Sequence, residues 1–125
     1  MRTLSVVLVL ILAQLAAATT TNLRYPAPSP DGSKICFSYQ GDLWLVPRSG
    51  GQPLRLTGNP GYDGYPAWSP DGQYIAFSSD RYGDLDVFVI PATGGEALRL
   101  TYHSAPDIVS GWSADGKEVI FDSKR

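Results

Sequence analysis

The chain has 125 residues, 43% of them hydrophobic and 18% charged, with a net charge of −2 at neutral pH. So slight an acidic balance supplies no electrostatic basis for a nucleic-acid partner. The single cysteine, Cys36, excludes an internal disulfide, and the single histidine, His103, leaves no cluster with transition-metal spacing.

The chain opens with one positive charge at Arg2 and an apolar run from Leu4 to Leu12 broken only by Ser5. It then reaches the small residues Ala16, Ala17 and Ala18. This order predicts a secretory signal peptide over residues 1–18, cleaved after Ala18, and an exported domain over residues 19–125. The competing reading is an uncleaved membrane anchor, but the apolar run is shorter than the ~20 residues a spanning helix needs. Cleavage removes Arg2 and takes the net charge from −2 to −3.

Beyond the leader the chain repeats itself. Ser29-Pro30-Asp31-Gly32 returns as Ser69-Pro70-Asp71-Gly72 and again as Ser113-Ala114-Asp115-Gly116. Gly50-Gly51 returns as Gly94-Gly95, and Leu54-Arg55-Leu56-Thr57 as Leu98-Arg99-Leu100-Thr101. A period of about 40–45 residues made of short strands and glycine-rich turns is the pattern of a β-propeller blade.

Taken in order, each blade starts with an innermost strand ending near Tyr25-Pro26-Ala27, Tyr65-Pro66-Ala67 or Gly111-Trp112. In the first copy Pro28 stands where Trp68 and Trp112 stand later, and a missing N–H there predicts an irregular edge. The Ser-Pro-Asp-Gly segments predict reverse turns, with proline presetting φ, aspartate accepting a local hydrogen bond and glycine supplying positive φ. A second strand alternates, with Ile75 and Phe77 on one face and Tyr74, Ala76 and Ser78 on the other. Neither face is strongly polar, as suits a blade between two neighbours.

Third strands are predicted over 43–46 and 87–90, stopped by Pro47 and Pro91. Hairpins then turn at the paired glycines into outer strands over 54–57 and 98–101, with leucines inward and arginines outward. Cys36 falls where the other copies have Ala76 and Ile120, which marks it as a buried strand residue rather than a nucleophile.

The fold class expected is all-β, a partial β-propeller of about two and a half four-stranded antiparallel blades. Blade 1 covers about 22–57, blade 2 about 62–101, and a partial blade 3 about 106–125. Two and a half blades cannot close a ring, so the chain is expected to be the N-terminal part of a longer protein.

The closest approach to a catalytic set is His103, Ser104 and Asp107 in the loop between blades 2 and 3. Nucleophilic catalysis needs an oriented base, an acid behind it and oxyanion donors, which one short loop rarely supplies, and no nucleophile elbow surrounds Ser104. These residues read as a surface loop in which Asp107 caps a turn. Asp80, Asp84 and Asp86 read as a solvated acidic loop with Arg81 as local partner. Asp31, Asp71 and Asp115 lack the spacing of a calcium loop. No catalytic, cofactor-binding or metal-binding residue is therefore expected in this chain.

The succession Pro-Ala-Trp-Ser-Pro-Asp-Gly, Ile-Ala-Phe, Gly-Gly and Arg-Leu-Thr resembles the propeller repeat of TolB and its relatives. The stretches from Gly41 to Gly72 and from Arg99 to Arg125 are similar to the start of the tricorn protease family. That resemblance implies an N-terminal propeller followed by a second propeller, a PDZ domain and a catalytic domain with a serine nucleophile. It implies that the propeller guides or docks peptides or protein partners, with no cofactor and with homo-oligomerisation of the full-length protein left open. None of the family's catalytic residues falls on this chain. The export signal implies a periplasmic or secreted location, unlike the best-known tricorn proteins, and no membrane partner once it is cleaved. The alternatives are a non-enzymatic, TolB-like protein-binding propeller of the periplasm and a propeller attached to an amidohydrolase or a prolyl-oligopeptidase-like enzyme.

Overall fold

The computed structural model describes residues 23–125 of the chain, and the predicted signal peptide lies outside the described residues. Among the described residues, ten strands form three antiparallel sheets. The first runs β1 (Leu23–Pro28), β2 (Lys34–Tyr39), β3 (Asp42–Pro47) and β4 (Leu54–Arg55), paired in chain order. The second repeats it with β5 (Asp63–Trp68), β6 (Tyr74–Ser79), β7 (Asp86–Pro91) and β8 (Leu98–Arg99), and the third holds β9 (Asp107–Trp112) and β10 (Val119–Ser123). Meandering four-stranded sheets repeated face to face are the blades that the 44-residue spacing predicts.

The turns form for the reasons expected of their residues. Gly32 N–H donates to Ser29 O at 2.9 Å, and Gly72 and Gly116 repeat this at Ser69 and Ser113. Asp31 Oδ1 accepts from Ser29 Oγ at 2.8 Å and Ser33 N at 2.9 Å, closing the turn from inside. Gly32, Gly72 and Gly116 all lie near φ +72°, which a β-carbon would resist. Successive turns stack, since a β-carbon on Gly116 would meet Pro70 at 3.5 Å.

Alternation along the strands gives each blade two apolar faces. Ile75, Phe77, Phe88 and Ile90 of blade 2 pack on Cys36, Leu43 and Leu45 of blade 1. From the opposite face, Ala76 and Val87 pack with Val109, Trp112, Val119 and Phe121 of blade 3. Burying a residue such as Phe77 contributes about 1.5–3 kcal/mol, so these two joints dominate the stability of the array. The other face of blade 1 gathers Ile35, Phe37, Tyr39 and Val46 with Leu23 and Trp44. Cys36 is fully buried, and burial pushes its thiol far up from the ordinary range.

Two details differ from expectation. The irregularity of β1 does not sit at Pro28, which pairs with Ile35, but between Arg24 and Ala27. It recurs in β5 between Gly64 and Ala67, and in β9 between Val109 and Gly111, which face Phe121 and Ile120. It is a β-bulge common to every blade, one that bends the innermost strand.

The outer strands are also shorter than predicted, and of Leu54, Leu56, Leu98 and Leu100 only Leu56 packs inward as expected, in the joint between blades 1 and 2. Leu54 and Leu98 are 60% and 64% exposed. The chain leaves the ladder after Arg55 and Arg99, because Thr57 Oγ1 accepts Leu43 N–H and Thr101 Oγ1 accepts Val87 N–H, both at 2.9 Å. The arginines then turn inward to carboxylates.

Candidate functional site

Those carboxylates begin strands. Arg55 Nη2 lies 2.5 Å from Asp42 Oδ2, and Arg99 Nη2 lies 2.7 Å from Asp86 Oδ2, each pair joining the start of a third strand to the outer strand of the same blade. A second pair type joins the start of an innermost strand to the segment after the second strand. Arg81 Nη2 is 3.2 Å from Asp63 Oδ1, and Arg125 Nη2 is 3.1 Å from Asp107 Oδ2. Asp63 and Asp107 are fully buried. A buried carboxylate is tolerated only with such a partner.

Arg81 also spreads over aromatic faces, 4.5 Å from the Phe88 centroid and 5.5 Å from that of Phe77. Arg99 sits between Tyr82 and Tyr102 at 4.6 and 4.5 Å. A delocalised, weakly hydrated guanidinium suits both contacts.

The two acidic loops therefore differ from expectation. Asp107 is not a surface turn cap, since it is buried at the head of β9, where burial pushes its carboxyl up and Ser123, Thr101 and Arg125 beside it outweigh that and hold it low. His103 and Ser104 are exposed in the preceding loop, whereas Asp107 is buried and paired with Arg125. Asp86 is buried and held by Arg99, whereas Asp80 and Asp84 are exposed, Asp80 Oδ1 accepting Tyr62 N–H at 2.6 Å. Arg81 reaches past its own loop to Asp63. Among the described residues no group of three His, Cys, Asp or Glu is placed to hold a metal ion.

The signal for the ion pairs was in the repeat. Asp42 and Asp86, Asp63 and Asp107, Arg55 and Arg99, and Arg81 and Arg125 are each 44 residues apart.

The innermost strands form the remaining candidate surface. Trp68 Nε1 donates to Ala27 O at 2.8 Å and Trp112 Nε1 to Ala67 O at 2.9 Å, so β1, β5 and β9 stand side by side. At the bulges Tyr25 and Tyr65 adopt φ of 56° and 54°, a left-handed conformation that costs a non-glycine residue about 1–3 kcal/mol. Their rings lie 4.5 Å apart between centroids. The Tyr65 phenol beside it holds Tyr25 below the usual phenol range, and the same contact raises Tyr65. No sequence signal pointed to these two tyrosines, because a positive φ is ordinarily sought at glycine.

Stacked four-stranded blades with their first strands adjoining define a β-propeller module, and each class of ion pair recurs in two of its blades. The model of the tricorn protease N-terminal beta propeller domain matches residues 20–125, and the chain belongs to that family. Tricorn protease homolog 1 of Streptomyces coelicolor is 39% identical over 70 residues, which are 56% of this chain and 6% of that protein. A TolB-type protein of Agrobacterium tumefaciens superposes with a TM-score of 0.72 at 28% identity, over 82% of this chain and 40% of its own. The crystal structure of the tricorn protease superposes with a TM-score of 0.67 at 25% identity, over 79% of this chain and 10% of its own. The chain thus spans a small fraction of the tricorn proteins it matches.

Proposed function

We propose that this chain is the N-terminal propeller portion of an exported, tricorn-type serine peptidase, in which it docks or guides peptides and leaves cleavage to another domain. The observation that carries this reading is the use made of the chain's buried acids. Asp42, Asp63, Asp86 and Asp107 are each committed to an arginine, and His103 is exposed in the loop before β9. Such groups hold blades together and leave no oriented base beside a nucleophile. The adjoining β1, β5 and β9 present backbone bulges and aromatic rings, which favour contact with an extended chain. Blades over 22–57, 62–101 and 106–125, a signal peptide over 1–18 and a periplasmic or secreted site of action belong to the same proposal.

Reading the coding sequence beyond Arg125 tests it. Continuation through further blades into a domain with a serine nucleophile is expected. A stop after a single closed propeller would favour the TolB-like, non-enzymatic alternative, which the superposition on a TolB-type protein keeps in view. Export is tested separately by N-terminal sequencing of the secreted protein, which is expected to begin at Thr19.

A further inference from the structure

The repeat is broken at one point of the innermost strand. Arg24, Gly64 and Ile108 occupy the same register, opposite Ser38, Ser78 and Asp122 of their second strands. Three blades thus present a guanidinium, no side chain and an aliphatic chain at a single structural position. The missing side chain has a steric reason. A β-carbon on Gly64 would stand 2.9 Å from Tyr62 Cε1 and 3.4 Å from Tyr25 Cε2, so glycine is what lets both rings lie down over β5.

Beneath Tyr62 opens a cavity of about 290 Å³ lined by Arg24, Ser38, Gln40, Gly41 and Tyr62. The tight β2–β3 hairpin shapes it. Gln40 and Gly41 both take positive φ, at 50° and 83°, and a β-carbon on Gly41 would approach Tyr62 Cδ2 at 3.8 Å. In blade 2 a longer loop replaces this hairpin, so the cavity belongs to the joint between blades 1 and 2.

Its chemistry is one-sided. Guanidinium, phenol and carboxamide line it, and no carboxylate does. The acids nearest in the chain are engaged elsewhere, Asp42 by Arg55, Asp63 by Arg81, and Asp80 by Tyr62 N–H. Arg55, Arg81, Arg99 and Arg125 each hold an aspartate, whereas Arg24 has no carboxylate partner among the described residues. Ser38 donates its proton to Asp63 O at 2.8 Å, and the Tyr62 hydroxyl donates to the Tyr25 oxygen, which Arg24 also reaches, so the rest of the Arg24 guanidinium fork and the Gln40 carboxamide are the donors that remain to the cavity.

We propose that this cavity binds an oxyanion, with Arg24 as the charged donor, Gln40 as a neutral one and the Tyr62 ring as a wall. A guanidinium fork beside one neutral donor matches the single charge and two oxygens of a carboxylate, and a phosphate oxygen pair offers the same geometry. The backbone strain at Tyr25 and the ring cradle at Gly64 preorganise the site, which lowers the ordering cost of binding. This assignment stands apart from the peptide-docking proposal, because it concerns a small anion and one pocket.

The test is titration of the ¹⁵N-labelled full chain with acetate, inorganic phosphate and neutral acetamide, following the Gly41 and Tyr62 amide resonances. Saturable shifts with acetate or phosphate, and none with acetamide, are expected. Saturation by acetate alone identifies a carboxylate site, and tighter saturation by phosphate identifies a phosphate site. Arg24→Gln is expected to weaken binding by about 10-fold or more, the scale of a lost charged hydrogen bond. Gln40→Glu replaces the neutral donor by a carboxylate beside Arg24 and is expected to weaken anion binding by about 10-fold or more. Arg48→Gln, at an exposed arginine outside the cavity, is expected to bind as the parent does. Shifts that rise linearly without saturating, that appear equally with acetamide, or that persist unchanged in Arg24→Gln and Gln40→Glu would overturn the assignment.

Discussion

The indole Nε1 of Trp68 donates to the backbone oxygen of Ala27 at 2.8 Å, across the joint between two blades. The same bond 44 residues later, from Trp112 to Ala67, makes it a structural device of the repeat rather than an accident of one loop. Trp68→Phe removes the donor and part of the packing, and is expected to destabilise the protein by about 1–3 kcal/mol. A urea melt followed by circular dichroism reads this as a lowered midpoint, and an unchanged midpoint would show that the joint does not depend on the bond.

The two kinds of ion pair are expected to respond differently to loss of the arginine. Asp63 is fully buried and its partner Arg81 has a side chain only 12% exposed, whereas Arg55 is 52% exposed beside Asp42. Arg81→Gln strands a buried carboxylate and is expected to cost about 3–5 kcal/mol. Arg55→Gln is expected to cost about 1 kcal/mol or less, since water already reaches that pair. Equal losses in thermal or urea denaturation would contradict the distinction.

The turn aspartates set an acid limit on stability. Asp31 is held down to about 2 by the backbone N–H and hydroxyl of Ser33 and by the Ser29 hydroxyl. Asp71 and Asp115 are lowered by their equivalent serines, Ser69 and Ser113. A carboxyl whose folded value is depressed binds protons more readily when unfolded, so its contribution is complete above about pH 4 and fades as pH falls towards 2. The urea midpoint is expected to drop over that window. Asp31→Asn is expected to flatten part of the drop, and an identical pH profile in the variant would argue against the turn carboxylate as its source.

Cys36 tests the packing between blades 1 and 2. It is fully buried in the cluster formed with Phe77, Phe88 and Ile90. An aromatic disulfide reagent at pH 8 is expected to label it only as fast as the protein unfolds. Cys36→Ala, which installs the residue found at the equivalent Ala76, is expected to cost about 1 kcal/mol. Rapid labelling of the folded protein would show that the joint opens.

Much of this architecture could be read from residue spacing. The turn at Asp31-Gly32 and the alternation of Ile75, Ala76 and Phe77 depend on local chemistry, and local chemistry is legible in a linear sequence. Asp107 was misread because its fate is decided by Arg125, 18 residues on, and by a neighbouring blade that removes it from water. In isolation an aspartate before a strand looks solvated. Leu54 and Leu98 were misplaced for a related reason. Their orientation follows from Thr57 and Thr101 capturing backbone N–H groups of the third strand, a tertiary event with no periodic trace. Tyr25, Tyr65 and the Gly64 cradle were also hidden, since a bulge in an innermost strand declares itself through register. The break in the repeat at Arg24, Gly64 and Ile108 becomes visible only once that register is known.

The central claim, that this propeller holds peptides without cutting them, is tested most directly by mixing the protein with fluorescein-labelled unstructured peptides. Anisotropy is read for binding and mass spectrometry for the integrity of each peptide. The account predicts saturable anisotropy with every peptide recovered whole. Peptide cleavage by the purified chain, or no rise in anisotropy with any sequence, would contradict it.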